Sequence, residues 1–122
     1  MDLHERRALL TGKSSPDTEH EILVRLEQTV SFKGEPDPIQ IRIMYIPDRL
    51  VLPGKCLQAY FNAVSTSDCE AQEALAVQLL DDFNNEIVPR WVQIDITTPG
   101  AQITATDRQP GWENPNLLST IL

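Results

Sequence analysis

Apolar and polar residues alternate in four separate stretches of the chain. From Ile22 to Phe32, Val24, Leu26 and Val30 share one face, while Arg25, Glu27 and Thr29 share the other. From Pro38 to Ile46, Ile39, Ile41, Ile43 and Tyr45 oppose Gln40, Arg42 and Met44. Trp91 to Thr97 sets Val92, Ile94 and Ile96 against Gln93 and Asp95, and Ala101 to Thr106 alternates once more. A period of two places alternate side chains on opposite faces, so each stretch predicts a half-buried strand. Lys33-Gly34-Glu35-Pro36-Asp37 and Thr98-Pro99-Gly100 are turns, and each closes an antiparallel hairpin.

Between the hairpins the period changes. Leu57, Tyr60, Phe61 and Val64 follow i, i+3, i+4, i+7, which predicts a short amphipathic helix from Lys55 to Val64. Ser67 and Glu70 form a capping box that opens a second helix, and Pro89 stops it after Glu86 or Ile87. The expected order is β-β-α-α-β-β, an α+β fold in which a four-stranded antiparallel sheet carries two helices on one face. Residues 1–20 read as a polar, flexible arm, 21–107 as the folded domain and 108–122 as a tail. Trp112 in that tail reads as cover for apolar surface.

The second helix carries a carboxylate where none is expected. At ~100° per residue, with Leu80 as reference, Glu73 falls about 20° away, within the stripe traced by Val77, Ala76, Ile87, Phe83 and Leu79. Two readings stand: the stripe runs out there and Glu73 reaches water, or Glu73 accepts hydrogen bonds from a ligand. A carboxylate matches an N–H/NH₂ pair on the edge of a guanine-like base, because two oxygens meet two donors.

The remaining inventory mostly excludes. The 122 residues suffice for one ordinary domain, and the 41% apolar content supplies a core. With 18 acidic and 10 basic residues the formal net charge is −8, which disfavours nucleic-acid binding and a polybasic membrane anchor. No apolar run is long enough to span a bilayer and no signal-peptide pattern opens the chain, so the expected compartment is the cytoplasm. His4 and His20 both lie in the arm. With Cys56 and Cys69 they show no zinc spacing, and no metal site is expected. Neither common glycine-rich phosphate loop is present. Cys56 reads as a small core residue, and Cys69, in the first turn of the second helix, as a thiol whose reactivity stays open.

Four fragments share one further property. Arg42-Ile43-Met44-Tyr45-Ile46-Pro47-Asp48, Gly54-Lys55-Cys56-Leu57-Gln58-Ala59-Tyr60, Leu79-Leu80-Asp81-Asp82-Phe83 and Pro89-Arg90-Trp91 resemble, in order and spacing, the 7-cyano-7-deazaguanine reductase family of QueF type. The resemblance covers roughly residues 22–106 and implies the tunnelling fold, whose element order is the one read above. It also implies assembly into rings, with pockets formed between subunits. The family reduces a nitrile to an aminomethyl group with NADPH in queuosine biosynthesis; an archaeal, amidinotransferase-like branch lacks the NADPH motif and acts on the nitrile in tRNA. A Cys adds to the nitrile as a thioimide and an Asp seven residues later donates a proton. The match places that Asp at Asp37 and the substrate-anchoring Glu at Glu73.

The departures are specific. Val30 occupies the position of the nucleophile. The NADPH motif Glu-x-Lys-Ser-x-Lys reads Pro53-Gly54-Lys55-Cys56-Leu57-Gln58, leaving only Lys55, and an Asn-Pro-Arg-Gly-Gly hairpin motif reads Thr98-Pro99-Gly100-Ala101-Gln102. Gln72 stands where the family has a His beside its Glu. Thioimide reduction and NADPH binding are therefore not expected, and no cofactor is assigned. Two readings remain open. One is an enzyme of 7-deazaguanine metabolism that holds a purine- or pterin-like base through Glu73, with Asp37 as acid/base group and Lys55 nearby. The other is a catalytically inactive subunit that scaffolds a ring of its own copies or of an active relative.

Overall fold

A computed structural model describes residues 3–66 and 71–121. In chain order the elements are α1 (Leu3–Ala8), β1 (Lys13–Ser14), β2 (Val24–Val30), β3 (Ile39–Ile46), β4 (Leu50–Val51), α2 (Gly54–Val64), α3 (Gln72–Ile87), β5 (Trp91–Thr98), β6 (Ala101–Arg108) and α4 (Pro115–Ile121). The main sheet runs β2-β3-β5-β6, antiparallel throughout, and β1 pairs with β4 in a separate two-stranded ribbon. The six principal elements keep the expected β-β-α-α-β-β order in an α+β, tunnelling-fold-like arrangement.

The hairpins follow from their turns. Gly34 and Gly100 adopt φ of 85° and 86°, a region open to glycine at little cost. They set Val30 against Ile39 and Thr98 against Ala101. That register delivers Ile39, Ile41, Ile43 and Tyr45, with Val92, Ile94 and Ile96, to one face, where α2 and α3 cover them. Each such aliphatic side chain contributes about 1.5–3 kcal/mol by leaving water. Tyr45 also packs edge-on against Phe83, with ring centroids 4.9 Å apart, and its hydroxyl accepts the Leu52 backbone N–H at 3.0 Å.

The second helix starts later and faces another way than its sequence suggests. Ala71 is extended, with φ −147° and ψ 142°, so the helix begins at Gln72. Ser67, Cys69 and Glu70, expected to cap and open it, lie outside the described residues. Its buried side is built from Leu75, Ala76, Leu79, Asp82, Phe83 and Ile87, while Val77 is 53% exposed. The helix ends on Val88 in the left-handed region, φ 51°, just before Pro89. A β-branched residue is strained there, and glycine is the common residue at such an end. Val88 is exposed, so Val88→Gly removes little packing. The variant is expected to gain about 0.5–1 kcal/mol, measured by urea unfolding; a loss of stability would contradict this account of the helix end.

Both chain ends carry structure that the alternation does not reveal. The stretch expected as a flexible arm holds α1, whose Arg6 and Arg7 reach Asp82 of α3, and Leu10, which is buried in the core. The stretch expected as a tail holds α4. Leu117, Leu118 and Trp112 pack there on Met44, Ile46 and Trp91, over the sheet face opposite α2 and α3. Trp112 is thus the cover expected of it, with its indole N–H donating to Glu21 at 2.9 Å. The outward face of β3 and β5 is in this way partly closed rather than wet.

Candidate functional site

The β2–β3 turn, the β5–β6 turn and the start of α3 lie at one end of the sheet. Antiparallel pairing puts the turn after Val30 beside the turn after Thr98. The Lys33 N–H donates to the Ser65 carbonyl at 3.1 Å, tying the C-terminal end of α2 to this same end. Val30 belongs to the core and is 8% exposed. Asp37, between Pro36 and Pro38, is exposed, and so is Glu73 in the first turn of α3. A carboxylate at a helix start is favoured by the orphan N–H groups there.

Glu73 therefore reaches water, as the first of the two readings of the wheel has it, and does not stand among the buried side chains. The buried arc centres near Leu79, and at ~100° per residue Glu73 lies about 120° from that centre while Asp82 lies about 60° from it. Asp82 is fully buried. It accepts hydrogen bonds from Arg6 Nε and Nη2, from Arg7 Nε at 2.9 Å and from the Tyr60 hydroxyl. Burial pushes its carboxyl up, but the bonds from Arg6, Tyr60 and Arg7 outweigh this and hold it below the usual range. Burial, followed by the hydrogen bond to Asp82, drives the Tyr60 phenol well above its ordinary value, so it stays a donor. With every oxygen committed to the protein, this cluster fastens α1 to α3. The signal available in the sequence was the Arg6-Arg7 pair facing an Asp81-Asp82 pair, which only the fold brings together.

Lys55 does not join Asp37 within one chain. It is exposed in the first turn of α2, and α2 points its other end at the β2–β3 turn. Eleven residues of helix rise about 16 Å, and Leu52, just before α2, is bonded to Tyr45 near the far end of β3. Glu73 and Asp37 thus share an end of the sheet, and Lys55 sits at the other. Cys56 is half-buried against the core as a free thiol, and Cys69 lies outside the described residues. Among the described residues no group of three or more His, Cys, Asp or Glu is placed to hold a metal ion, and no helix is long and apolar enough to cross a membrane.

The outward face of the sheet carries a second polar row that the sequence reading passed over. Glu27, Arg42, Asp95 and Thr104 stand directly opposite one another on β2, β3, β5 and β6. Asp95 is 2% exposed and accepts from Arg42, Gln93 and Thr104. The fragments Pro47-Asp48 and Pro89-Arg90-Trp91 also meet: the Arg90 N–H donates to the Ile46 carbonyl at 2.8 Å, and Arg90 Nε lies 3.5 Å from Asp48. Their spacing thus reflects the junction of β3 with β5.

Comparison with known proteins gives the same family as these fragments. No family model matches the chain. It is 25% identical over 111 residues to the NADPH-dependent 7-cyano-7-deazaguanine reductase of Nitrosococcus oceani, covering 84% of this chain and 85% of that protein. The reductases of the same name from Prochlorococcus marinus and Syntrophus aciditrophicus are 32% and 30% identical, over 66% and 67% of this chain. The matches cover 62% and 61% of those two proteins, less than two thirds of their length. The chain is thus a distant, QueF-like relative of the 7-cyano-7-deazaguanine reductases, to which it is similar over most of its length.

Proposed function

We propose that this chain acts in 7-deazaguanine metabolism by holding a 7-deazaguanine or related purine- or pterin-like base through Glu73, and that it does not reduce nitriles with NADPH. The observation that carries this reading is Val30. The family resemblance assigns that position to the nucleophile, and here it is a core-packed hydrocarbon, 8% exposed, with no atom able to attack a nitrile. Glu73 supports the binding half: an exposed carboxylate at the end of the sheet that also carries Asp37. Two oxygens suit the paired N–H and NH₂ donors of such a base. Asp37 is the acid/base group of the enzymatic version, without Lys55 of the same chain. We place the protein in the cytoplasm.

The scaffold reading has its own support. In the sheet order β2-β3-β5-β6, the strands β2 and β6 each have a free edge among the described residues. Unpaired edges invite strands of another copy, and a ring of such copies would set Glu73 of one subunit beside a neighbour. Light scattering is expected to report an oligomer; a monomer would argue against the ring.

Thermal shift separates the two readings. A ligand at a hundred times its Kd adds about 2.7 kcal/mol, several degrees for a domain of this size. Of 7-cyano-7-deazaguanine, guanine, GTP and neopterin, at least one is expected to raise Tm in the wild type but not in Glu73→Ala. Because Glu73 is exposed, the substitution itself should move stability by no more than about 0.5 kcal/mol. If none of the four raises Tm, base binding through Glu73 is wrong and the scaffold reading stands. With the nitrile and NADPH together, no cofactor oxidation is expected; turnover would overturn the assignment of Val30.

A further inference from the structure

At the end of the sheet away from Glu73, a cleft of about 530 Å³ opens between α4 and the outward face of β5 and β6. Its volume falls within the range of small-molecule sites, roughly 300–1,000 Å³. Two cross-strand pairs form its floor: Trp91 opposite Arg108, and Gln93 opposite Thr106. Leu118 of α4 is the facing apolar wall.

Two donors of this lining are unspent. Trp91 is 5% exposed, yet among the described residues its indole N–H meets no acceptor. Fully buried side-chain nitrogens and oxygens among the described residues all have partners, so this N–H is not sealed in the core, and Trp91 lines the cleft. Trp112, by contrast, spends its N–H on Glu21. The Arg108 guanidinium has no ion-pair partner among the described residues. Asp107, the one carboxylate of the lining, has both oxygens engaged: Oδ1 accepts the Arg108 backbone N–H and Oδ2 the Asn84 amide, each at 2.8 Å. Gln93 commits its amide nitrogen to Asp95.

We propose that this cleft binds a small carboxylate with an apolar, ring-sized body. The carboxylate would take the Trp91 N–H and the Arg108 guanidinium, two donors on directly opposed residues. Its body would lie between the indole and Leu118. Two oxygens accepting from donors on directly opposed residues, one of them charged, make the strongest polar contact this lining offers. The proposal is independent of base binding at Glu73.

Benzoate is the probe, with benzyl alcohol as the same ring without the charge. The two indole N–H resonances are followed by ¹H–¹⁵N spectroscopy on the full chain, and Trp112→Phe assigns that of Trp91. Benzoate is expected to shift the Trp91 resonance saturably, with benzyl alcohol at least about tenfold weaker. Arg108→Gln, at an exposed position, is expected to weaken benzoate by about tenfold or more. Glu73→Ala should leave the titration unchanged, so failure of one site is read apart from failure of the other. No saturable shift, equal binding of the uncharged ring, or an unchanged affinity in Arg108→Gln would each overturn the proposal.

Discussion

Asp82→Ala is expected to cost about 3 kcal/mol of unfolding free energy and to free the N-terminal helix. Removing one member of a buried ion cluster costs about 3–5 kcal/mol, because the partners lose their counter-charge. The lower end applies here: Asp82 is fully buried, but the Arg6 and Arg7 side chains keep 20% and 22% of their exposure and can turn to water. Tyr60 cannot, being 2% exposed, and its hydroxyl is left without its acceptor. Urea unfolding gives the energy. Tryptic cleavage after Arg6 and Arg7 reports the release of α1, and should quicken far more than cleavage at Lys55. A variant with wild-type stability and an unchanged cleavage rate would show that α1 is held by something other than this cluster.

The same carboxylate sets an acid limit. Its pKa is lower folded than unfolded, because the bonds from Arg6, Tyr60 and Arg7 overcome the opposing effect of burial. The folded state then binds fewer protons than the unfolded state in the interval between the two values. The stability Asp82 confers is fully present above the unfolded value, about pH 4, and drains away as pH falls through the folded value. Asp82→Asn keeps the shape and removes the titration. Its stability should be lower than wild type at neutral pH, and the gap should close on acidification; a constant gap would contradict the linkage.

Asp95→Ala is expected to cost about 2–3 kcal/mol, the scale of losing charge-assisted hydrogen bonds at a buried site. Asp95 collects the guanidinium of Arg42 on β3, with Nη2 at 2.9 Å, the Gln93 amide on its own strand, and the Thr104 hydroxyl on β6. It joins three strands across the outward face. Arg42 is 38% exposed at its side chain and would retreat to solvent, but Gln93 is 7% exposed and would lose its acceptor in place. Glu27→Ala is the control. Glu27 stands 3.8 Å from Arg42 with half its side chain in water, and such a pair adds about 0.5 kcal/mol or less. If both substitutions cost the same in urea, the row is surface decoration and not a brace.

The strands were legible because their signal is local. Ile39, Ile41, Ile43 and Tyr45 need only a period of two to share a face, and Gly34 and Gly100 set the registers within a few residues. The phase of α3 was less so. Ala76, Val77, Leu79, Leu80 and Phe83 spread over a wide arc, and whichever part of it meets the sheet is decided by β5 and β6. A shift of about a quarter turn exchanged the buried carboxylate, Asp82 for Glu73. Trp91, legible as a strand start, became part of a cleft floor only when α4 folded back over it.

The α+β class, the chain order of the four long strands with their two hairpins, the two central helices and the kinship with the reductases are readable from the chain alone, because each rests on neighbours close along it or on spacing. Which carboxylates are buried, the placing of Lys55 and Asp37 at opposite ends, and the return of both chain ends onto the domain were settled by the fold. Those outcomes depend on contacts between residues far apart in the chain, such as Arg6 with Asp82 or Leu118 with Trp91, and no local periodicity encodes them.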